Sequence, residues 1–304
     1  MDIVTTRGLT KTFGRGRTRA TVVDGLDLRV PEGVVYGFLG PNGSGKSTTM
    51  KMLLGLLTPT SGEIEVFGQP MHRGTRRELL AHIGSLIEAP SVYGHLTGAE
   101  NMRIVQRLLG LTDSQVTNAL ATVRLDNHAN KLVRNYSLGM KQRLGIAMAL
   151  ARSPKLLILD EPTNGLDPAG IEEIRELLVS LAADGVTVMV SSHLLAEMEK
   201  MAQVLAIIDH GRLVFQGTRA ELFERALPDL IIDTPDPDLA AQVLARHTPR
   251  YLDQGICLTN INADDTAAGI RELVGAGVAI HGVRREQQSL EDVFIEITGR
   301  GGDL

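Results

Sequence analysis

The sequence predicts an α/β protein built on a buried parallel sheet, followed by a smaller α+β unit. Three apolar runs without alternation predict strands that are buried on both faces, at 34–39, 156–159 and 186–190. Segments of helical period separate these runs. Beyond Ala226 the character changes, because Pro228, Pro235 and Pro237 lie in an acidic stretch. We therefore expect one domain at 1–227 and a second at 228–304.

The composition narrows the class of protein. With 304 residues the chain is long enough for one large domain and a smaller one, and its net charge of −5 argues against nucleic acid as the main partner. The single cysteine, Cys257, excludes an internal disulfide and fits a reducing cytosol. No run of about 18 apolar residues occurs. If the protein acts at a membrane, a partner must supply the membrane span.

The remaining elements follow from local patterns. The strands expected from alternation and turn residues are 21–23 and 26–30 around Asp24-Gly25, 62–68, and a hairpin of 204–208 with 212–215. The stretch 76–151 has a mostly helical pattern, with helices at 100–109, 113–123 and 137–152, and a further helix is expected at 171–183. The tail alternates strands at 256–258 and 278–280 with helices at 239–246 and 267–274, and a capping box of Ser289 and Asp292 opens its last helix.

A glycine-rich loop follows the first buried run and precedes a helical segment. The pattern G-x-x-x-x-G-K-[ST] is matched by the loop residues Gly40, Pro41, Asn42, Gly43, Ser44, Gly45, Lys46, Ser47 and Thr48. Glycines let successive N–H groups point at one phosphate, and the helix start adds partial positive charge. Lys46 is expected at the β- and γ-phosphates and Ser47 at Mg²⁺. The alternative, an accidental glycine-rich turn, is disfavoured by the strand and helix on either side.

Two carboxylates follow the buried run 156–159. Asp160 leaves the strand where it can hold Mg²⁺ through water, and Glu161 is placed to polarise an attacking water as general base. The alternative is that the pair only starts a turn before Pro162.

In this context the chain resembles the ATP-binding subunit of an ATP-binding-cassette (ABC) transporter over roughly its first 220 residues. Phe13 matches the aromatic residue that stacks on adenine in that family, although a core aromatic is the alternative. The signature element is matched by Ser137, Leu138, Gly139 and Met140 at the start of the third expected helix. Asp167 matches the loop at the dimer interface, and His193 matches the histidine that senses the γ-phosphate, which by itself would more often be structural.

The resemblance implies a fold, a cofactor and partners. The fold would be a P-loop NTPase with a RecA-like parallel sheet, an antiparallel β subdomain, and a helical signature subdomain at about 89–152. ATP and Mg²⁺ would bind in a head-to-tail homodimer, because the signature in this family contacts the nucleotide of the opposite subunit. The subunit would power separate integral-membrane permease subunits from the cytoplasmic face of the membrane.

Two departures from the family pattern indicate a subfamily. Glu88 stands where the family usually has a glutamine that contacts Mg²⁺, and Leu138 replaces the second residue of the usual signature. With the closing run 289–294, these features are similar to bacitracin- and lantibiotic-type exporters, so we expect export of a peptide antibiotic or other drug. The alternatives are an importer subunit and a soluble cassette ATPase acting on ribosomes or DNA.

Overall fold

The computed structural model of the protein describes residues 1–14, 16–192, 194–225 and 227–298. It divides into two compact units, Met1–Thr218 and Arg219–Gly301. The sequence placed this division at the prolines after 227, whereas in the structure the helix Arg219–Arg225 groups with the second unit. None of the described helices is long and apolar enough to cross a bilayer.

The first unit contains eleven strands and seven α-helices among its described residues. The strands are β1 (Asp2–Phe13), β2 (Ala20–Leu26), β3 (Arg29–Pro31), β4 (Val35–Leu39), β5 (Ser61–Val66), β6 (Gln69–Pro70), β7 (Ile83–Leu86), β8 (Leu156–Asp160), β9 (Thr187–Ser192), β10 (Val204–Asp209) and β11 (Arg212–Thr218). The helices are α1 (Lys46–Leu53), α2 (Arg76–Leu80), α3 (Gly98–Leu109), α4 (Asp113–Thr122), α5 (Leu138–Leu150), α6 (Pro168–Ala183) and α7 (Leu195–Met201).

A six-stranded sheet forms the centre of this unit, in the order β11-β10-β4-β9-β8-β7. The strands from β10 to β7 are parallel, and every residue of β4, β8 and β9 is buried. This confirms the three apolar runs as strands covered on both faces. Because parallel strands end at the same edge, the segments that follow β4, β7, β8 and β9 converge there.

A second, antiparallel sheet has the order β2-β1-β5-β6, with β3 paired to the start of β1. One apolar cluster joins this sheet to α1 and to the parallel sheet, and it includes Leu9, Leu26, Phe38, Met50 and Ile158. The β1–β2 hairpin is thereby anchored beside the loop that connects β4 to α1.

The helical segment between β7 and β8 contains α3, α4 and α5. Thr97 and Thr112 open α3 and α4 with full capping boxes, in which Glu100 and Gln115 return the hydrogen bond. Ser137 caps α5, since its Oγ accepts from the Met140 N–H at 3.2 Å. The three predicted helices are confirmed here, and each predicted end lies within two residues of the observed one.

The second unit is a small α+β structure with its own core. A four-stranded antiparallel sheet has the order β13-β14-β12-β15, where β12 is Asp229–Asp233, β13 Arg250–Leu252, β14 Gly255–Leu258 and β15 Gly282–Glu286. The helices are α8 (Arg219–Arg225), α9 (Pro237–Val243), α10 (Ala263–Gly275) and α11 (Leu290–Thr298). Leu230, Ile232, Ala240, Leu244 and Leu273 share one apolar cluster. The expected capping box is present, because Ser289 and Asp292 exchange backbone-to-side-chain hydrogen bonds of 3.1 Å.

Three local predictions are wrong. Strand β2 continues through Asp24-Gly25, which we expected to be a turn, and ends only at Leu26. Strand β7 lies inside the stretch 76–151 that looked mostly helical. Residues 278–280 form no strand, because they follow the turn that ends α10, and the edge strand of this sheet is β15 instead.

Candidate active site

The glycine-rich loop connects β4 to α1 at the carboxyl edge of the parallel sheet. A Cβ on Gly40 would lie 2.3 Å from the Ile208 carbonyl oxygen, so only glycine fits against β10. Gly45 has φ +104°, and a Cβ there would lie 2.7 Å from the Val22 carbonyl oxygen of β2. Strands β10 and β2 therefore pack so closely against the loop that its backbone needs glycine at both positions.

The loop presents a row of backbone donors. The N–H groups of Gly43, Gly45, Lys46, Ser47 and Thr48 donate to no acceptor among the described residues. The last three belong to the first turn of α1, where N–H groups have no partner within the helix. Such an array, with the positive end of the helix dipole, is an anion site. The side chain of Ser44 is turned into the loop, and its Oγ is buried without a partner.

Lys46 is buried beneath this array. Its Nζ donates to the carbonyl oxygens of Gly40 at 2.6 Å and Pro41 at 3.3 Å, and it lies 3.9 Å from Glu161 Oε1. Burial lowers the pKa of Lys46, and the negative charges of Glu161 and Asp160 act in the opposite direction. The loop carbonyl oxygens therefore hold the Lys46 ammonium group in place. A phosphate bound at this position would give it a negatively charged and stronger acceptor.

Gly45→Ala is expected to weaken ATP binding about tenfold or more, because a left-handed residue with a backbone clash costs about 1–3 kcal/mol of strain. Competition against a fluorescent ATP analogue measures the effect. Gly33→Ala is the matched control: Gly33 has φ +74° but nothing within 4 Å of its Cβ position. Gly33→Ala should keep the wild-type affinity. Equal affinities of Gly45→Ala and wild type would show that the loop tolerates the clash.

Ser191 organises the two carboxylates that follow β8. Its Oγ donates to Asp160 Oδ1 at 2.6 Å and accepts from the Glu161 N–H at 2.9 Å. The parallel pairing of β8 with β9 sets this contact, since Asp160 and Ser191 are register partners. Glu161 has φ +51°, a strained conformation for a residue with a side chain. The sequence did not indicate Ser191, and its one signal is its position in the Ser-Ser pair at the end of β9.

The donor set fits Mg²⁺ bound together with a nucleotide. The Ser47 hydroxyl makes no hydrogen bond to the described residues, and Asp160 is fixed at the adjacent strand end. Oxygen ligands from a hydroxyl, a carboxylate, phosphate and water are those Mg²⁺ prefers. No three His, Cys, Asp or Glu side chains in the described part of the chain could hold a metal by themselves.

Phe13 ends β1 with 43% of its surface exposed, so the core alternative is wrong. It is paired with Ala20 of β2, and Val22, two residues further along that strand, contacts Gly45. Two residues of strand span about 7 Å, which places the ring near the phosphate loop. The Lys11 ammonium lies 5.2 Å from its ring centroid. This leaves an aromatic surface beside the loop for a nucleobase.

Glu88 lies two residues after β7, at the same edge of the sheet. Its Oε1 accepts from Lys51 Nζ at 2.7 Å, and 69% of its side chain is exposed. The hydrogen bond and charge of Lys51 lower the pKa of Glu88 below its usual value. Glu88, expected from the sequence to bind Mg²⁺, therefore also has a basic partner, Lys51, which the sequence did not predict.

The signature residues lie at the exposed start of α5. Ser137 and Leu138 are exposed, and the N–H groups of Leu138 and Gly139 donate to no described acceptor. A Cβ on Gly165 would lie 3.2 Å from Leu138 Cδ2, so the start of α5 packs on the turn before α6. Asp167 caps α6, accepting from the Gly170 N–H at 3.1 Å. The start of α5, like the start of α1, therefore presents backbone N–H groups to which an anion could bind.

One predicted site residue, His193, lies outside the described residues. The structure brings together the phosphate loop, Lys46, Asp160 and Glu161 through the contacts given above.

The comparisons decide the family. The family model described as ABC transporter matches residues 23–164. The bacitracin transport ATP-binding protein BcrA of Enterococcus faecalis is 40% identical over 305 residues, which covers 99% of this chain and 97% of that protein. The chain belongs to the ABC transporter ATP-binding proteins.

Two further similarities agree with this. The lantibiotic transport ATP-binding protein SrtF of Streptococcus pyogenes is 44% identical over 210 residues, which covers 69% of this chain and 88% of that protein. A dimeric post-hydrolysis structure of the ATP-binding cassette MJ0796, bound to ADP and Pi, has a TM-score of 0.64 and 25% identity, and covers 71% of this chain and 98% of that chain. The predicted P-loop NTPase fold and ATP hydrolysis are thereby confirmed for this ABC ATPase.

Proposed function

We propose that this ABC ATPase powers an exporter of a peptide antibiotic or another drug through a separate membrane permease. The observation that carries the proposal is the similarity to the bacitracin transport protein over 99% of the chain, so that the second unit is included. The alternatives, an importer subunit or a ribosome- or DNA-directed ATPase, gain no support from the relatives. The subunit would act at the cytoplasmic face of the membrane.

Nucleotide binding is assigned to the loop and its neighbours. The N–H groups of Gly43, Gly45, Lys46, Ser47 and Thr48 would hold the β- and γ-phosphates. Lys46 Nζ would move from the Gly40 and Pro41 carbonyl oxygens to phosphate oxygens. Phe13 would stack on the adenine. When bound, Mg²⁺ would neutralise phosphate charge, held by Ser47, by Asp160 through water, and by Glu88.

Hydrolysis is assigned to Glu161 as general base. Its backbone N–H is fixed by Ser191, and its carboxylate lies 3.9 Å from Lys46 Nζ, in reach of a water at the γ-phosphate. His193, which lies outside the described residues, would contact the γ-phosphate. Charge that develops in the transition state would be compensated by Lys46 and by donors of a second subunit.

A head-to-tail homodimer would complete the site. The exposed start of α5 offers the N–H groups of Leu138 and Gly139 and the Ser137 hydroxyl to an anion. Asp167 lies on the same surface, at the start of α6. An isologous two-fold pairing would place each signature on the loop of the other copy, giving two shared sites. The dimeric form of the MJ0796 cassette supports this arrangement.

Export is tested in a bacitracin- and lantibiotic-sensitive bacterial host. The chain is expressed with a candidate permease from the same genome, and the inhibitory concentration of each antibiotic is measured. We expect a rise that requires both genes and is lost with Glu161→Gln. An unchanged inhibitory concentration for both, with normal ATP hydrolysis and the two proteins co-purifying from membranes, would contradict peptide-antibiotic export while leaving the ATPase assignment intact.

A further inference from the structure

Glu88 and Lys51 form an ion pair beside the phosphate loop. Lys51 Nζ lies 2.7 Å from Glu88 Oε1, a full charge-assisted hydrogen bond. Glu88 adopts φ +66°, an uncommon backbone conformation for a residue with a side chain. The loop after β7 is thus held in an unusual shape with its carboxylate directed to α1.

The position of Lys51 on α1 relates this pair to the nucleotide. Lys51 follows Ser47 by four residues, so the two side chains lie on the same side of the helix. One helical turn, about 5.4 Å, separates them along the axis. Ser47 is in the first turn, where the N–H groups of Lys46, Ser47 and Thr48 have no acceptor among the described residues. The pair therefore lies one turn beyond the proposed phosphate and metal site.

A carboxylate at this place creates an electrostatic problem. The triphosphate carries several negative charges. A Glu88 carboxylate without a positive partner would repel the triphosphate over the same short distances over which Mg²⁺ attracts it. Lys51 brings the opposite charge into direct contact with that carboxylate. Seen from the phosphates, the pair has no net charge, although the second carboxylate oxygen of Glu88 accepts no hydrogen bond among the described residues and could still bind a metal.

We propose that Lys51 is a positioning residue of the nucleotide site, which neutralises and orients Glu88 so that a carboxylate can stand beside the triphosphate. The inference rests on the proposed placement of ATP on the loop. Lys51 acts on the nucleotide through Glu88, because its ammonium group is bound to that carboxylate at 2.7 Å. Its effect on ATP should therefore exist only when residue 88 is charged.

A double-mutant cycle tests this dependence, with wild type, Lys51→Met, Glu88→Gln and the double variant. The affinity for a fluorescent ATP analogue is measured in EDTA, so that no metal contributes. We expect Lys51→Met to weaken binding about five- to tenfold, because one close charge is left unpaired. Glu88→Gln should change affinity less than about twofold, because the released Lys51 side chain, already 36% exposed, can turn its charge into solvent, and the double variant should match Glu88→Gln. Lys51→Arg should bind like wild type, because arginine keeps the charge and the donors.

The matched control is Arg7→Met, which removes one positive charge from an exposed pair with Glu65 on the antiparallel sheet. It should leave the affinity unchanged. Equal losses from Lys51→Met with Glu88 or with Gln at 88 would show direct contact with phosphate and overturn the proposal, as would no loss in either background. Wild-type ATP binding and turnover are measured in the same series. If these are normal, either result rejects only the role of Lys51.

Discussion

Glu161→Gln is expected to lower the rate of ATP hydrolysis about 10²- to 10³-fold while ATP still binds. Glutamine has the shape of glutamate but cannot take a proton from the attacking water. The backbone of residue 161 should stay in place, because Ser191 accepts from its N–H, and the 3.9 Å ion pair with Lys46 is lost. Phosphate release measures turnover, and gel filtration with ATP measures the dimer.

The variant should also accumulate as an ATP-bound dimer, because ATP would hold the proposed dimer together and hydrolysis would be needed to release it. Glu63→Gln is a suitable control, because Glu63 is an exposed carboxylate on β5. This variant should hydrolyse ATP at the wild-type rate. If Glu161→Gln retained more than about a tenth of wild-type turnover, Glu161 would not be the general base.

Gly139→Asp is expected to abolish ATP-dependent dimerisation and to lower hydrolysis at least about a hundredfold, without loss of folding. In the isolated subunit the change is tolerated, since a Cβ on Gly139 meets Leu166 Cδ2 at 3.8 Å, an ordinary contact. A carboxylate in the first turn even favours the dipole of α5. In the dimer the same carboxylate would face the γ-phosphate of the other copy and repel it.

Gly139→Ala provides the uncharged comparison and should lose much less activity. ATP binding to the single subunit, measured with a fluorescent analogue, should be near wild type for both variants. A Gly139→Asp protein that still dimerises with ATP would remove the start of α5 from the shared site.

The fold could be predicted where burial is simple. Strands β4, β8 and β9 are buried along their whole length, so their apolar runs indicated them directly. Strand β7 was missed because it is short and contains Gly84-Ser85, and the hydrogen bonds that define it come from β8, far along the chain. Strand β15 was missed because an edge strand carries exposed charges such as Arg284.

The false strand at 278–280 shows the opposite error. Val278 is buried and Ala279 exposed, which imitates strand alternation. The alternation arises from a chain that leaves α10 through Gly277, at φ +78°. Periodicity over three residues does not distinguish such an exit from a strand.

The site could be predicted where one local segment contains its chemistry. The loop at 40–48 needs only its own glycines and the helix that follows. The contact of Ser191 with Asp160 and the pair of Lys51 with Glu88 depend on strand and helix packing between distant segments. Sequence spacing has no information on such contacts, and for that reason neither of them was predicted.

The central claim is that each ATP site is shared between two copies of the chain. The most direct test mixes two inactive variants, Lys46→Ala and Gly139→Asp. A mixed dimer has one site with both defects and one site with the intact loop of one chain and the intact signature of the other. One of the two sites of a mixed dimer is intact, so we expect the mixture to regain about a quarter of wild-type ATP turnover if the chains pair at random, and up to about a half if the homodimers do not form. If mixed dimers form, as shown by native mass spectrometry, and turnover stays at the level of either variant alone, the shared site is contradicted.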